Sequence, residues 1–337
     1  MKHLWYEKGA YASKKAKAYI ANEFSPEKIK KIAVIRHAAL GDQVITRPFL
    51  IEARRFFPNA EITLVGVANY QYGLPSDLVD HTIIMADRIQ KKDMSVKQQL
   101  DNFRQLDEQD IIFDLAGTSR SHWMTFFSQA KLKFGFPYHS IMRGTLYNIA
   151  VFRSDFQPEL ECMLDMLKML GHSPKMPLDF GYPKHDDVYV DSEQPEIFYF
   201  NGASQTRKIL TQEQMKQLME KVTTELPHYK HVYLEGKNDF EKADFLTDLT
   251  TKDNFAIQPC LDLDALIERI AKAKLVVAPD TGIRNIAVST YTPTVGIFYI
   301  TVPFRYTPLD GRHHIVMNAN GDIPSNEQII EAIHYAL

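Results

Sequence analysis

The stretch KIAVIRHAALGDQVITRPFL, residues 31–50, decides how the rest of the chain is read. It opens as a short apolar strand, breaks at Gly41-Asp42, and resumes with helical periodicity in TRPFLIEARRFFP, where Phe49, Leu50, Ala53, Phe56 and Phe57 recur near 3.6-residue spacing. Strand, loop, helix is the first half of a βαβ unit. A loop leaving the carboxyl end of a parallel strand is where α/β sheets bind ligands. Gly41 suits a close backbone approach or an unusual φ. Asp42 then has two readings, a helix cap or a general base.

Working outward, strand-like segments recur at 32–37, 61–67, 82–85, 110–117 and 131–136, then at 196–203, 231–236, 255–259, 274–282 and 292–300, with helical patterns between them. The helix after 196–203 opens on a Thr-x-x-Gln capping pattern, Thr211 to Gln214. Short apolar strands alternating with helices predict an α/β protein with parallel sheets. The chain has 337 residues, and at roughly 100–200 residues per domain that means two domains. The Pro-, Asp- and His-rich run HSPKMPLDFGYPKHDDVYVDSEQP (172–195) is the candidate linker. The division expected is a basic extension at 1–30, a first doubly wound domain at 31–175, a linker at 176–195, a second such domain at 196–320, and a C-terminal helix at 321–337.

Composition narrows the class. The chain is 45% hydrophobic and 24% charged with a formal net charge of -3, so no global basic field argues for nucleic acid. Two cysteines far apart, Cys162 and Cys260, make a disulfide framework unlikely and fit a reducing cytoplasm. No apolar run nears the roughly 20 residues that span a bilayer, and residues 1–30 lack the apolar core of a signal peptide. Residues 1–31 hold eight lysines against three glutamates, with Leu4, Trp5, Tyr6, Tyr11, Tyr19 and Ile20 interleaved. That pattern is read as a solvated helix packed on the body, with contact to an anionic membrane surface as the alternative.

Three further loops carry candidate chemistry. APDTGIRN places Asp280, Thr281 and Gly282 between a strand and a helix, where free N–H groups attract a phosphate or where Asp280 or Thr281 simply caps. NGASQTRKIL sets Gly202 and Ser204 in a small-residue loop before Arg207 and Lys208, cations able to offset a leaving phosphate or to lie solvated on the surface. Arg120, Lys131, Lys133, His139 and Arg143 form a basic cluster suited to an anionic acceptor, although some will be merely solvated. There is no G-x-G-x-x-G dinucleotide pattern and no G-x-x-x-x-G-K-[ST] phosphate loop. Metal ligation is weakly supported: HDDVYVD (185–191) has carboxylates but lies in the linker, and neither the histidines nor the cysteines show zinc spacing.

Taken together, four stretches resemble glycosyltransferase family 9, the bacterial lipopolysaccharide heptosyltransferases: residues 32–66 with the Leu-Gly-Asp turn, 113–136, 200–218 with Gly-Ala-Ser and the lysine, and 276–308 with Asp-Thr-Gly. The resemblance implies a GT-B fold, two Rossmann-like domains facing a central cleft. It implies an inverting, metal-independent transfer with no cofactor, from a nucleotide sugar, ADP-heptose or another, to an anionic lipid-linked glycan of the lipopolysaccharide core. On matching positions, Asp42 is the general base and Lys208 steadies the diphosphate, with catalytic weight. Asp280, Thr281 and Gly282 match the segment that binds the nucleotide and its phosphates; Gly202, Ser204, Arg207 and Asn285 are further candidates for the nucleotide sugar, and Gly41, Arg120, Lys131, Lys133 and Arg143 are candidates for the acceptor. The final helix is expected to return toward the first domain.

The chain departs from the family in having Arg284-Asn285 where a histidine is frequent, with Asn285 at the matching place, and in its basic extension. Ile209, Leu210 and Thr211 stand where a Trp-Pro pair often follows the lysine. A GT-B enzyme with a different nucleotide sugar, or a non-catalytic GT-B binding module, is the competing reading.

Overall fold

The computed structural model describes residues 10–136, 142–154, 156–308 and 312–337; Leu4, Trp5, Tyr6 and His139 lie outside them. The chain divides into two compact units, Met1–Gly181 and Tyr182–Leu337, and each is an open α/β sheet.

In the first unit the strands are β1 (Tyr11–Ala12), β2 (Lys31–Ile35), β3 (Glu61–Val67), β4 (His81–Met85), β5 (Gln109–Asp114), β6 (Ala130–Gly135) and β7 (Ile149–Ala150), in the spatial order β1-β7-β6-β5-β2-β3-β4. All pairings are parallel except β1 with β7. The helices are α1 (Lys14–Asn22), α2 (Leu40–Phe56), α3 (Val96–Phe103), α4 (Ser119–Phe127), the short turn α5 (Met142–Thr145) and α6 (Glu159–Lys168). The central strands read as unbroken apolar runs because helices cover both faces; Ile32, Ala33, Val34 and Ile35 are all fully buried. The chain winds outward from β2 through β3 to β4, then crosses to β5 on the other side of β2. The winding therefore reverses between β2 and β5.

The register brings Ile35, Val65, Asp114 and Gly135 level, so the loops after these strands leave the sheet at one edge.

The second unit has β8 (Glu196–Tyr199), β9 (Lys230–Leu234), β10 (Phe255–Gln258), β11 (Leu275–Pro279), β12 (Thr294–Ile297) and β13 (His313–Val316), all parallel, in the order β10-β9-β8-β11-β12-β13. Its helices are α7 (His185–Val188), α8 (Gln212–Glu225), α9 (Leu263–Ala271), α10 (Gly282–Ser289) and α11 (Asn326–Ala336). Here the winding reverses between β8 and β11.

The structure adds detail to four expectations. The basic extension, from residue 10 on, is built into the first unit: Ser13 caps α1 by accepting from the Ala16 N–H at 3.1 Å, β1 covers the edge of β7, and Phe24 packs edge-on against Phe57. The linker is held down at both ends. Arg47 donates to the Phe180 carbonyl at 2.6 Å, while the His185 N–H donates to the Thr290 carbonyl at 2.7 Å. The C-terminal helix places Ile329, Ile330 and Ile333 in the core of the second unit with Val295 and Val316. Half of the Thr211 capping pattern forms. Thr211 accepts from the Gln214 N–H at 3.1 Å, but the Gln214 side chain donates to the Pro324 carbonyl, tying α8 to the segment before α11.

Candidate functional site

In the first unit, the loop after β2 and the loop after β5 meet at the point where the winding reverses. Arg36, the residue after β2, is 3% exposed and donates from one guanidinium nitrogen to Asp42 at 2.9 Å. Its other terminal nitrogen donates to the Leu115 carbonyl at 2.7 Å and to Glu159 at 3.2 Å. Glu159, 1% exposed, also accepts from Arg153. Two buried arginines share one buried carboxylate, which satisfies the charges that burial would otherwise penalise. Asp42 itself stays 29% exposed.

Asp42 is not the helix cap; that place is taken by Ala39, and Asp42 stands in the first turn of α2. There its negative charge suits the helix dipole. Gly41 is likewise inside α2 rather than in a turn, and its φ is not positive, so the absent side chain is what it contributes.

Across the switch point, His37 Nδ1 lies 3.1 Å from the hydroxyl of Thr118, the residue capping α4. Desolvation first, then the nearby charges of Arg120 and Arg36, push the His37 imidazole down to about 3, so it is neutral at ordinary pH. Arg120 thus belongs to this edge; it also donates to the Ala86 carbonyl at 3.4 Å. Asp114, at the end of β5, accepts from the Ala116 and Gly117 N–H groups and from the Tyr147 hydroxyl at 2.6 Å. Arg143 lies half-buried in the connection from β6 to β7.

Two expected acceptor ligands are elsewhere. Lys131 stands at the amino end of β6 and pairs with Asp110 at 3.1 Å, at the opposite end of the sheet from Asp42. Lys133 points its ammonium at the Thr125 and Ser128 carbonyls, at 2.8 and 2.6 Å. It stabilises the carboxyl end of α4, where a cation complements the helix dipole. Spacing alone grouped these lysines with Arg120; strand direction separates them.

In the second unit the loops after β8 and β11 meet at the other switch point. Lys208 donates to Asp280 at 2.7 Å, with the two side chains 17% and 9% exposed. Thr281, not Asp280, caps α10, accepting from the Ile283 N–H at 3.4 Å. Gly282 begins the helix. Gly202 is constrained by its surroundings: a Cβ there would lie 2.4 Å from the Phe200 ring and 2.6 Å from Glu241. Ser204 and Arg207 are exposed on the same loop, with Arg207 donating to the Gln205 side chain. Asn201 brackets Leu210 with two hydrogen bonds of 2.9 Å, which fixes the loop that carries Lys208. Asn285 is buried in α10, its Oδ1 without a partner among the described residues.

Arg284 is completely buried in the first turn of α10. It donates to the Tyr306 carbonyl at 3.2 Å and the Thr307 hydroxyl at 2.7 Å, and its guanidinium lies 4.9 Å from the centre of the Phe298 ring. Burial lowers it to about 10, opposed by the charge of Asp280, so it remains a cation at neutral pH. Two carboxylates of the linker are engaged: Asp186 pairs with Arg312 at 2.7 Å, and Asp191 accepts from Tyr189.

The sequence profile of glycosyltransferase family 9 (heptosyltransferase) matches residues 100–332, more than half of the chain. The chain belongs to glycosyltransferase family 9. It is 22% identical over 301 residues to the lipopolysaccharide core heptosyltransferase OpsX of Haemophilus influenzae, covering 85% of this chain and 84% of that protein. Among solved structures it is similar to the glycosyl transferase family 9 protein of Veillonella parvula, with a TM-score of 0.72 and 18% identity over 93% of this chain and 98% of that one. It is also similar to the Escherichia coli heptosyltransferase WaaC with ADP-2-deoxy-2-fluoro heptose, with a TM-score of 0.70 and 16% identity over 91% of this chain and 100% of that one. The fold is therefore GT-B and the chain is a heptosyltransferase-like glycosyltransferase.

The sequence pointed to Asp42, Lys208 and Asp280 but not to the residues that hold them. A cation ending an apolar strand, Arg36, was a readable signal. Glu159 carried none, because Arg36 is more than 100 residues away from it in sequence, and Arg153 joins the cluster only through Glu159.

Proposed function

We propose that this family 9 enzyme transfers heptose from ADP-heptose to a lipopolysaccharide core precursor, with inversion and without a metal. One observation carries the reading. A partly exposed carboxylate, Asp42, is held by a buried arginine at the switch point of one sheet, and a lysine, Lys208, stands beside a helix start at the switch point of the other. Asp42 takes the proton of the acceptor hydroxyl as that oxygen attacks the anomeric carbon of the sugar. The bond from that carbon to the diphosphate breaks, and the departing charge is offset by Lys208 and the N–H groups opening α10. A lysine and a helix N-terminus supply the positive charge that a metal would otherwise bring. Arg120 and Arg143 are the cations assigned to the anionic acceptor; Lys131 and Lys133 are withdrawn from that role.

The donor and acceptor are supported by the relatives, among them a lipopolysaccharide core heptosyltransferase and a heptosyltransferase solved with ADP-2-deoxy-2-fluoro heptose. On this reading the enzyme meets a lipid-linked acceptor at the inner face of the cytoplasmic membrane. The test is turnover of ADP-heptose with a purified core acceptor in excess EDTA, the product's anomeric configuration being read by NMR. An inverted product at full rate is expected. Retention of configuration, or activity that requires added metal, contradicts the mechanism, and turnover of only another nucleotide sugar replaces the donor.

A further inference from the structure

Arg284 is out of place by ordinary rules. Burying a charge is costly unless an opposite charge or a full set of hydrogen bonds compensates it. Arg284 is 0% exposed, and its Nε has no acceptor among the described residues. It is also the third residue of α10, so it sits at the positive end of a helix dipole worth about half a unit charge, where a cation is disfavoured. The carboxylate coupled to it, Asp280, already pairs with Lys208 at 2.7 Å. Two cations and a helix N-terminus share Asp280.

The fold nevertheless makes room for this side chain. A Cβ on Gly296 of β12 would lie 2.4 Å from Arg284 Nε. The Phe298 ring takes the flat face of the guanidinium, and Tyr306 and Thr307 take two of its donors. A planar, multiply donating cation that stays charged is what such a slot selects, and lysine has neither the plane nor the fork.

We infer that Arg284 is a positioning residue whose buried charge, added to Lys208 and the start of α10, sets the affinity of this site for a nucleoside diphosphate. It does not touch the phosphates. It acts through low-dielectric protein, where a fixed charge is screened far less than in water. It also clamps residues 306–307 to the helix that receives the diphosphate. The excess positive charge is left for the ligand to neutralise, so recognition is directed at the diphosphate and not at the nucleoside. This rests on the donor reading proposed above.

The test is calorimetric titration of the full-length protein with ADP, AMP and adenosine. The variants are wild type, Arg284→Met, which removes the charge at similar length, and Arg284→Lys, which keeps it. The result expected is an ADP affinity about tenfold or more weaker in Arg284→Met, a smaller loss for AMP, an unchanged affinity for adenosine, and an intermediate ADP affinity in Arg284→Lys, which keeps the charge but not the fork. Should Arg284→Met fail to fold, Arg284→Gln keeps donors toward Tyr306 and Thr307 and answers the same question. Equal losses for ADP and adenosine would reduce Arg284 to a packing element, and unchanged ADP binding would overturn the inference outright. If the wild type binds no ADP while UDP or GDP binds, the donor reading fails and the comparison is made with that diphosphate and its nucleoside. A folded wild type that binds no nucleoside diphosphate at all overturns both.

Discussion

At the scale of single residues, the chemistry rests on side chains whose environments, not identities, set their roles. Asp42 and Asp280 are both aspartates beside a helix start, yet one pairs with a buried arginine and the other with a lysine. His37 makes a testable case. It is held neutral, at about 3 against an ordinary histidine value near 6.5, so below that value the unfolded chain takes up a proton that the folded protein refuses. Stability is full above about pH 6.5 and declines as pH falls toward about 3, by at most about 1.4 kcal/mol per unit from this side chain. His185 and His231 are lowered too, chiefly by desolvation, and act in the same direction. Denaturant melts of wild type and His37→Gln between pH 7 and 5 should show a shallower decline in the variant; parallel curves would show that His37 is not held neutral by the fold. The sequence exposed the charged residues at strand ends but gave no sign that His37 would be buried beside Thr118 and near the charge of Arg120, because those residues lie in a loop about 80 positions further along the chain.

At the scale of elements, apolar periodicity located the ten principal strands to within a few residues, and the structure adds β1, β7 and β13. These three were hidden for physical reasons. β1 and β7 are two residues long, and β13 opens on His313-His314, so none of them offers a full-length strand pattern to read. Lys133 was misassigned because sequence does not say which end of a strand a side chain serves. Gly135 shows how tightly these elements meet: a Cβ there would come within 2.2 Å of the Tyr147 ring, whose hydroxyl holds Asp114. Gly135→Ala must push Tyr147 aside, and overpacking of this kind costs about 1–3 kcal/mol. A melting temperature lowered by several degrees is expected, and an unchanged one would mean that Tyr147 moves freely. In the extension, Phe24→Ala should cost roughly 1–2 kcal/mol, since the ring is half-buried against Phe57. No change in stability would show that residues 10–30 are not docked as described.

At the scale of the whole molecule, two sheets each carry a candidate site where their winding reverses, between β2 and β5 and between β8 and β11. The alternation of strands and helices made that architecture legible, and the order of four motifs made the family legible. The packing of the last helix was not, because an amphipathic pattern such as NEQIIEAIHYA says which face is buried but not against what. With Ile329, Ile330 and Ile333 in its core, the fragment 182–337 should fold alone and melt cooperatively, whereas the same fragment cut before residue 326 should not; a cooperative melt of the shorter piece would contradict the assignment. In the proposed reaction Asp42 is the base of a sugar transfer whose donor site is built on the other sheet. The most direct measurement is the turnover of ADP-heptose by Asp42→Asn, with ADP affinity determined on the same preparation. Turnover reduced by about 10²–10⁴-fold with ADP affinity unchanged is expected, and turnover near the wild-type rate would remove Asp42 from the role of base.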